Sequence, residues 1–144
     1  MKMTLLVSVF LMGANVFACK DYSGKYIWNP DGYIPMTLEI TQKGCEHVDI
    51  TTKAPTAGFE LTESMDCDGV IRVIEDSPKR KVKSACEFQE DLSHYEDYQF
   101  PNDPQTNFKH IGLYILVNDK ILRNNFDLNL NGVHTQHIFD FIRQ

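Results

Sequence analysis

Apolar and polar residues alternate with a period of two through most of the chain, a pattern that suits antiparallel strands and little else. It is strongest near the C-terminus, where Leu122, Phe126, Leu128 and Leu130 share one parity and Arg123, Asn125, Asp127 and Asn129 take the other. Asn131-Gly132 follows as a turn pair suited to positive φ. Earlier, Leu38 and Ile40 alternate with Thr37, Glu39 and Thr41; Lys43-Gly44 turns the chain, and Val48 and Ile50 alternate with His47, Asp49 and Thr51. That is a hairpin. Phe59 and Leu61, Val70 to Ile74, Lys79 to Phe88, Glu90 to Phe100 and His110 to Val117 read as further strands, with Pro101 to Asn107 as the clearest loop. The terminal segment from Val133 to Ile142 fits a strand or a short helix equally.

The total is eight to ten strands and at most one helix. A parallel sheet buried on both faces needs crossover helices, which the chain lacks. Antiparallel closure both covers the apolar faces and removes open edges. The expected fold is therefore all-β, a small antiparallel up-and-down β-barrel, with a compact two-sheet β-sandwich as the alternative.

Residues 1–18, MKMTLLVSVFLMGANVFA, combine Lys2, an apolar run from Met3 to Met12, and Val16 and Ala18 before a cut. This reads as a secretory signal peptide, leaving residues 19–144 as a single β-barrel domain. The apolar run is shorter than the roughly 20 residues a spanning helix needs. A buried N-terminal helix is the structural alternative. Cys19 directly after the cut also makes VFAC similar to a bacterial lipoprotein box, in which that cysteine is acylated.

If Cys19 is free to pair, Cys19, Cys45, Cys67 and Cys86 form an even set with three possible connectivities. Cys67 with Cys86 is preferred, because each stands at a strand end in adjacent hairpin arms, leaving Cys19 with Cys45. If Cys19 is lipidated, one thiol is left over. No close C-x2-C pair supports a structural zinc knuckle. Disulfides place the protein in a periplasmic or secreted location, and lipidation would make it an outer-membrane lipoprotein. The formal charge of −6 becomes −7 once Lys2 leaves with the leader. Such an acidic surface excludes nucleic acid as a partner, and membrane attachment is expected only through a lipidated Cys19.

The segment Asp21-Tyr22-Ser23-Gly24-Lys25-Tyr26-Ile27-Trp28, followed by the meander, resembles the start of the lipocalin and fatty-acid-binding-like (calycin) barrels. Gly24-Lys25-Tyr26 fits their Gly-x-Tyr element, and Trp28 stands two residues later than in the Gly-x-Trp form. The chain is most similar to small bacterial exported proteins with lipocalin-like barrels. The resemblance implies an up-and-down barrel whose apolar interior holds a small hydrophobic molecule. It carries over no ligand-binding residue, because no motif marks one.

The residues themselves offer Tyr26, Trp28, Leu38, Ile40, Phe59, Phe88, Leu122 and Phe126 as inward side chains that line or fill such an interior. Filling is favoured, because a small domain must offset its folding entropy by burial. His134-x2-His137 has a zinc-like spacing only on a helix, and no H-E-x-x-H occurs. His47, His94 and His110 read as dispersed surface or hydrogen-bonded strand residues. Asp66/Asp68 and Asp127/Asp140 show no shared cleft, and neither a nucleophile elbow nor a phosphate loop is present.

The functional expectation is an exported barrel that binds a small apolar molecule, with no catalytic residue, metal or cofactor assigned. The alternative is an envelope or secreted interaction module that meets an envelope protein through Tyr95, Tyr98, Phe100 and the Asn/Pro loop. A metal-dependent hydrolase built on His134 and His137 ranks third.

Overall fold

The structure, a computed structural model, describes residues 18–144. The expected leader lies outside them apart from its last residue. Ten strands follow one another: β1 (Gly24–Trp28), β2 (Met36–Lys43), β3 (His47–Ala54), β4 (Phe59–Asp66), β5 (Arg72–Asp76), β6 (Lys81–Phe88), β7 (Leu92–Gln99), β8 (Phe108–Asn118), β9 (Ile121–Leu130) and β10 (Val133–Arg143). Pro55–Ala57 and Pro104–Thr106 form single 3₁₀ turns. The C-terminal segment is a strand, paired along its whole length with β9 through the two-residue turn Asn131-Gly132, both at positive φ.

All ten strands belong to one antiparallel sheet in the order β4-β3-β2-β1-β10-β9-β8-β7-β6-β5. Every neighbour pair is consecutive in sequence except β1 with β10. That pairing, Tyr26 with Arg143 and Ile27 with Ile142, joins the two ends of the meander and curls the sheet into a barrel. The barrel stays unlaced at one place, between β4 and β5. The expected strand from Val70 starts only at Arg72, because Gly69 at φ 75° and the bond from Val70 N–H to Asp68 Oδ1 (3.0 Å) turn the chain first. β5 is therefore a short edge strand whose Val73 and Ile74 are exposed.

Alternation then sorts the side chains. Tyr26, Leu38, Ile40, Val48, Ile50, Val82, Leu92 and Leu122 face inward and are buried. The polar parity of β9, including Arg123 and Asp127, faces outward, where Arg123 is paired with Asp140 at 2.7 and 2.8 Å. A sandwich is not formed, since one continuous sheet makes both walls.

The cysteines pair as Cys19–Cys45 and Cys67–Cys86. The first engages Cys19 Sγ, the atom that acylation would need, and ties the N-terminal segment to the β2–β3 turn. The second crosses the unlaced edge, fastening the end of β4 to β6, where Gly69 N–H also bonds to the Cys86 carbonyl at 2.9 Å. Two disulfides suit an oxidising extracellular or periplasmic setting. Among the described residues no helix is long and apolar enough to cross a membrane. Replacing Cys67 and Cys86 together by Ser should lower unfolding free energy by about 2–4 kcal/mol in urea melts. Thiol titration of the denatured, unreduced wild type should find no free cysteine.

Candidate functional site

The interior changes character along the barrel axis. Where β2 ends and β7 and β9 begin, Tyr22, Tyr26, Ile40, Val48, Ile50, Leu92, Leu122 and Phe141 pack into a solid plug. Tyr22 is fully buried there, accepting a hydrogen bond from Leu92 N–H (3.2 Å) and donating to Asp91 Oδ1 (3.2 Å). Toward the other end the side chains stand apart around a cavity of about 520 Å³. Met36 and Leu38 of β2, Phe59 and Leu61 of β4, Phe108 of β8, Phe126 and Leu128 of β9 and Phe139 of β10 supply its apolar lining. The interior is thus filled at one end and hollow at the other.

One wall of the cavity is polar. The β7–β8 register sets Glu96 opposite His110 and His94 opposite Gly112. Because strand side chains alternate, His94, Glu96 and Tyr98 all project inward from β7. Glu96 is 2% exposed and His94 3%. His110 Nε2 lies 3.1 Å from Glu96 Oε2, and the Tyr98 hydroxyl donates to the same oxygen at 3.1 Å. Glu63 arrives from β4, across the unlaced edge, so that His94 Nε2 sits 3.8 Å from both Glu63 Oε1 and Glu96 Oε1. Ser84 Oγ of β6 is 3.4 Å from the same nitrogen.

These groups titrate abnormally. Burial, and secondarily the Glu96 carboxyl beside it, pushes the Glu63 carboxyl up to about 9. Burial pushes His94 down to about 4 and lowers His110 as well, so both imidazoles are neutral at pH 7. The phenols of Tyr98 and Tyr114 are raised by burial. Asn124 Oδ1, from another part of the lining, is buried without a hydrogen-bond partner among the described residues. Among the described residues the polar lining is supplied by Glu, His, Tyr, Thr and Asn, with no Lys or Arg.

The expectation that His94 and His110 are dispersed is corrected. Sixteen positions apart in sequence, they meet edge to face at 5.6 Å between ring centroids. The ligating atoms of His94, Glu96 and His110 lie within 4.8 Å of one another, a donor set of the kind that holds a divalent metal. The only sequence hint was that His94, Glu96 and Tyr98 share the parity of apolar Leu92. His134 and His137 do not converge: exposed His134 bonds to Asp127 at 3.2 Å, while His137 faces the cavity mouth. Asp66 and Asp68 also separate, Asp66 to His47 and Asp68 to Arg72.

Of the eight inward candidates, Leu38, Phe59 and Phe126 line the cavity. Tyr26, Ile40 and Leu122 lie in the plug, and Phe88 packs near Tyr22 at 6.1 Å. Trp28 meets Phe139 edge-on at 5.2 Å. The aromatic surface expected from Tyr95, Tyr98 and Phe100 is not formed. Tyr98 points inward and stacks on Phe108 at 4.5 Å, whereas Tyr95 belongs to the opposite face of β7.

The shifts give stability a defined pH profile in chelator-containing buffer. Unfolded Glu63 loses its proton near its usual 4.5 but folded Glu63 keeps it to about 9, so stability falls as pH rises through that window. Unfolded His94 gains a proton near 6.5 but folded His94 only near 4, so stability falls as pH drops through that one. Thermal melts should therefore peak near pH ~5.5, and Glu63→Gln should flatten the alkaline limb.

No protein-family model matches the chain, and no curated protein does. Its fold is similar to the crystal structure of secretory abundant heat soluble protein 4 from Ramazzottius varieornatus, with a TM-score of 0.53 and 14% identity. The match covers 85% of this chain and 93% of that one. Likeness at that identity speaks to fold alone, and with the ten-stranded sheet it shows a lipocalin- or fatty-acid-binding-like barrel.

Proposed function

We propose that the chain is an exported, non-catalytic binding protein that holds a small apolar molecule in the barrel cavity. The observation that carries this reading is the cavity itself. Its volume of about 520 Å³ lies within the range of small-molecule sites, and its lining is apolar except for one wall. A chain of this size gains most of its stability from burial, so interior volume left unfilled has a cost. The plug shows that the same barrel packs solidly where side chains are supplied to do so.

The polar wall sets the head group. Glu96 and Asn124 present acceptors beside the protonated Glu63, and among the described residues no Lys or Arg lines the cavity to neutralise an acid. In the metal-free protein, a ligand with an apolar body and a hydroxyl or amine end fits this wall better than a carboxylate. Export accords with the two disulfides and with the leader read from residues 1–18.

The test is displacement of a fluorescent apolar probe by straight-chain alcohols, amines and carboxylates of increasing length, using chelator-treated protein. Each added methylene should tighten binding about fourfold, the equivalent of about 0.8 kcal/mol, until the cavity is full. Alcohols and amines should outcompete carboxylates of equal length. Leu128→Trp, which fills the hollow end, should weaken every competitor at least about tenfold. Probe binding that does not saturate, or affinity indifferent to chain length, would overturn the reading.

A further inference from the structure

The geometry points to a divalent metal site in the barrel wall, with His94, Glu96 and His110 as ligands and Glu63 as the fourth donor, suited to zinc. It goes beyond apolar binding and does not depend on it, since the cluster is assembled by strand register whatever the cavity holds.

Four observations converge. The first is spacing. Zinc with bonds of about 2.0–2.1 Å to nitrogen and oxygen places its tetrahedral ligands roughly 3.3 Å apart. Here His110 Nε2 to Glu96 Oε2 is 3.1 Å, and His94 Nε2 to Glu96 Oε1 and to Glu63 Oε1 is 3.8 Å in each case. The His94, Glu96 and His110 donor atoms lie within 4.8 Å of one another, so the widest pair closes by up to about 1.5 Å on coordination.

The second is the His94 nitrogen. The ring is 3% exposed, and the hydrogen bond between Nε2 and Ser84 Oγ is long, at 3.4 Å. A buried imidazole nitrogen with such a long contact, directed at two carboxylates, is a ligand atom short of a close partner. The third is charge. Two carboxyl groups this close and this buried cannot both ionise unaided, and a dication would let both do so.

The fourth is support around the ligands. Tyr98 donates its hydroxyl to Glu96 Oε2 and stacks near His110, with 6.3 Å between centroids and 28° between planes. Such hydrogen bonds orient a carboxylate ligand. Nitrogen and oxygen donors without sulfur select zinc and its borderline neighbours over copper(I), and two imidazoles disfavour calcium or magnesium.

The test uses the full disulfide-bonded protein, stripped with chelator and titrated with Zn²⁺ against a chromophoric competitor. One Zn²⁺ per chain should bind. His94→Ala and His110→Ala should each weaken binding about 100-fold or more. Glu63→Gln should weaken binding by a smaller factor, and His134→Ala should change nothing. X-ray absorption of the zinc-loaded wild type reads the ligands without any substitution and should show two imidazoles and only nitrogen and oxygen neighbours. Failure to bind one Zn²⁺, a single-imidazole spectrum, or binding lost on His134→Ala would overturn the site. None of these outcomes bears on probe displacement by alcohols in chelated protein, so the two readings fail separately.

Discussion

The pairing of β1 with β10 is the contact on which the rest of the structure depends. It rests on few ladder partners, and side chains reinforce it: Arg143 donates from Nη2 to the Ser23 carbonyl at 2.8 Å and to the Tyr26 hydroxyl at 2.9 Å. Gly24 makes room for this, since a Cβ there would come within 3.1 Å of Arg143 Nε. Without this closure the strands would form two separate sheets, β1–β4 and β5–β10, each with two edges and one wet apolar face, because no ladder joins β4 to β5. With it the inward parity of every strand faces a common interior, and a cavity becomes possible.

The opposite side of the barrel is held by different means. Between β4 and β5 there is no ladder, and the two sides meet through Cys67–Cys86, the Gly69 bond to Cys86 and the approach of Glu63 to the β7 cluster. Burying two carboxyl groups and two imidazoles costs several kcal/mol that leucines in the same positions would not. Such a cluster is poor cement. Its position, on the wall of the hollow half and not in the plug, fits a role in recognition better than one in stability.

Much of the fold was legible because period two is a local signal. The β9 and β10 hairpin, the Asn131-Gly132 turn and the inward set from Leu38 to Ile50 follow from residues within a few positions of one another. What was not legible depends on register between distant strands. Glu63, Glu96 and His110 come from three strands, and Glu96 faces His110 only because the loop from Phe100 to Asn107 sets β8 against β7 in one alignment. Parity also misleads where a barrel is unevenly filled: Tyr26 and Phe126 both point inward, yet one belongs to the plug and the other to the cavity. Nothing local distinguishes them, because depth along the axis is a property of the closed sheet.

The Cys19–Cys45 bond carries a consequence for when the molecule can be assembled. The short segment from Cys19 to Tyr22 has no strand or helix of its own, and it delivers a fully buried tyrosine to the base of the barrel. Its covalent anchor exists only after oxidation, and Lys20–Asp91 is a partly exposed ion pair of small worth. In a reducing compartment the stopper would be held without a covalent anchor, by the hydrogen bonds of Tyr22 and Gln42. Oxidation thus adds the covalent fastening at the base of the barrel, so the redox state of the surroundings decides how firmly that end is closed.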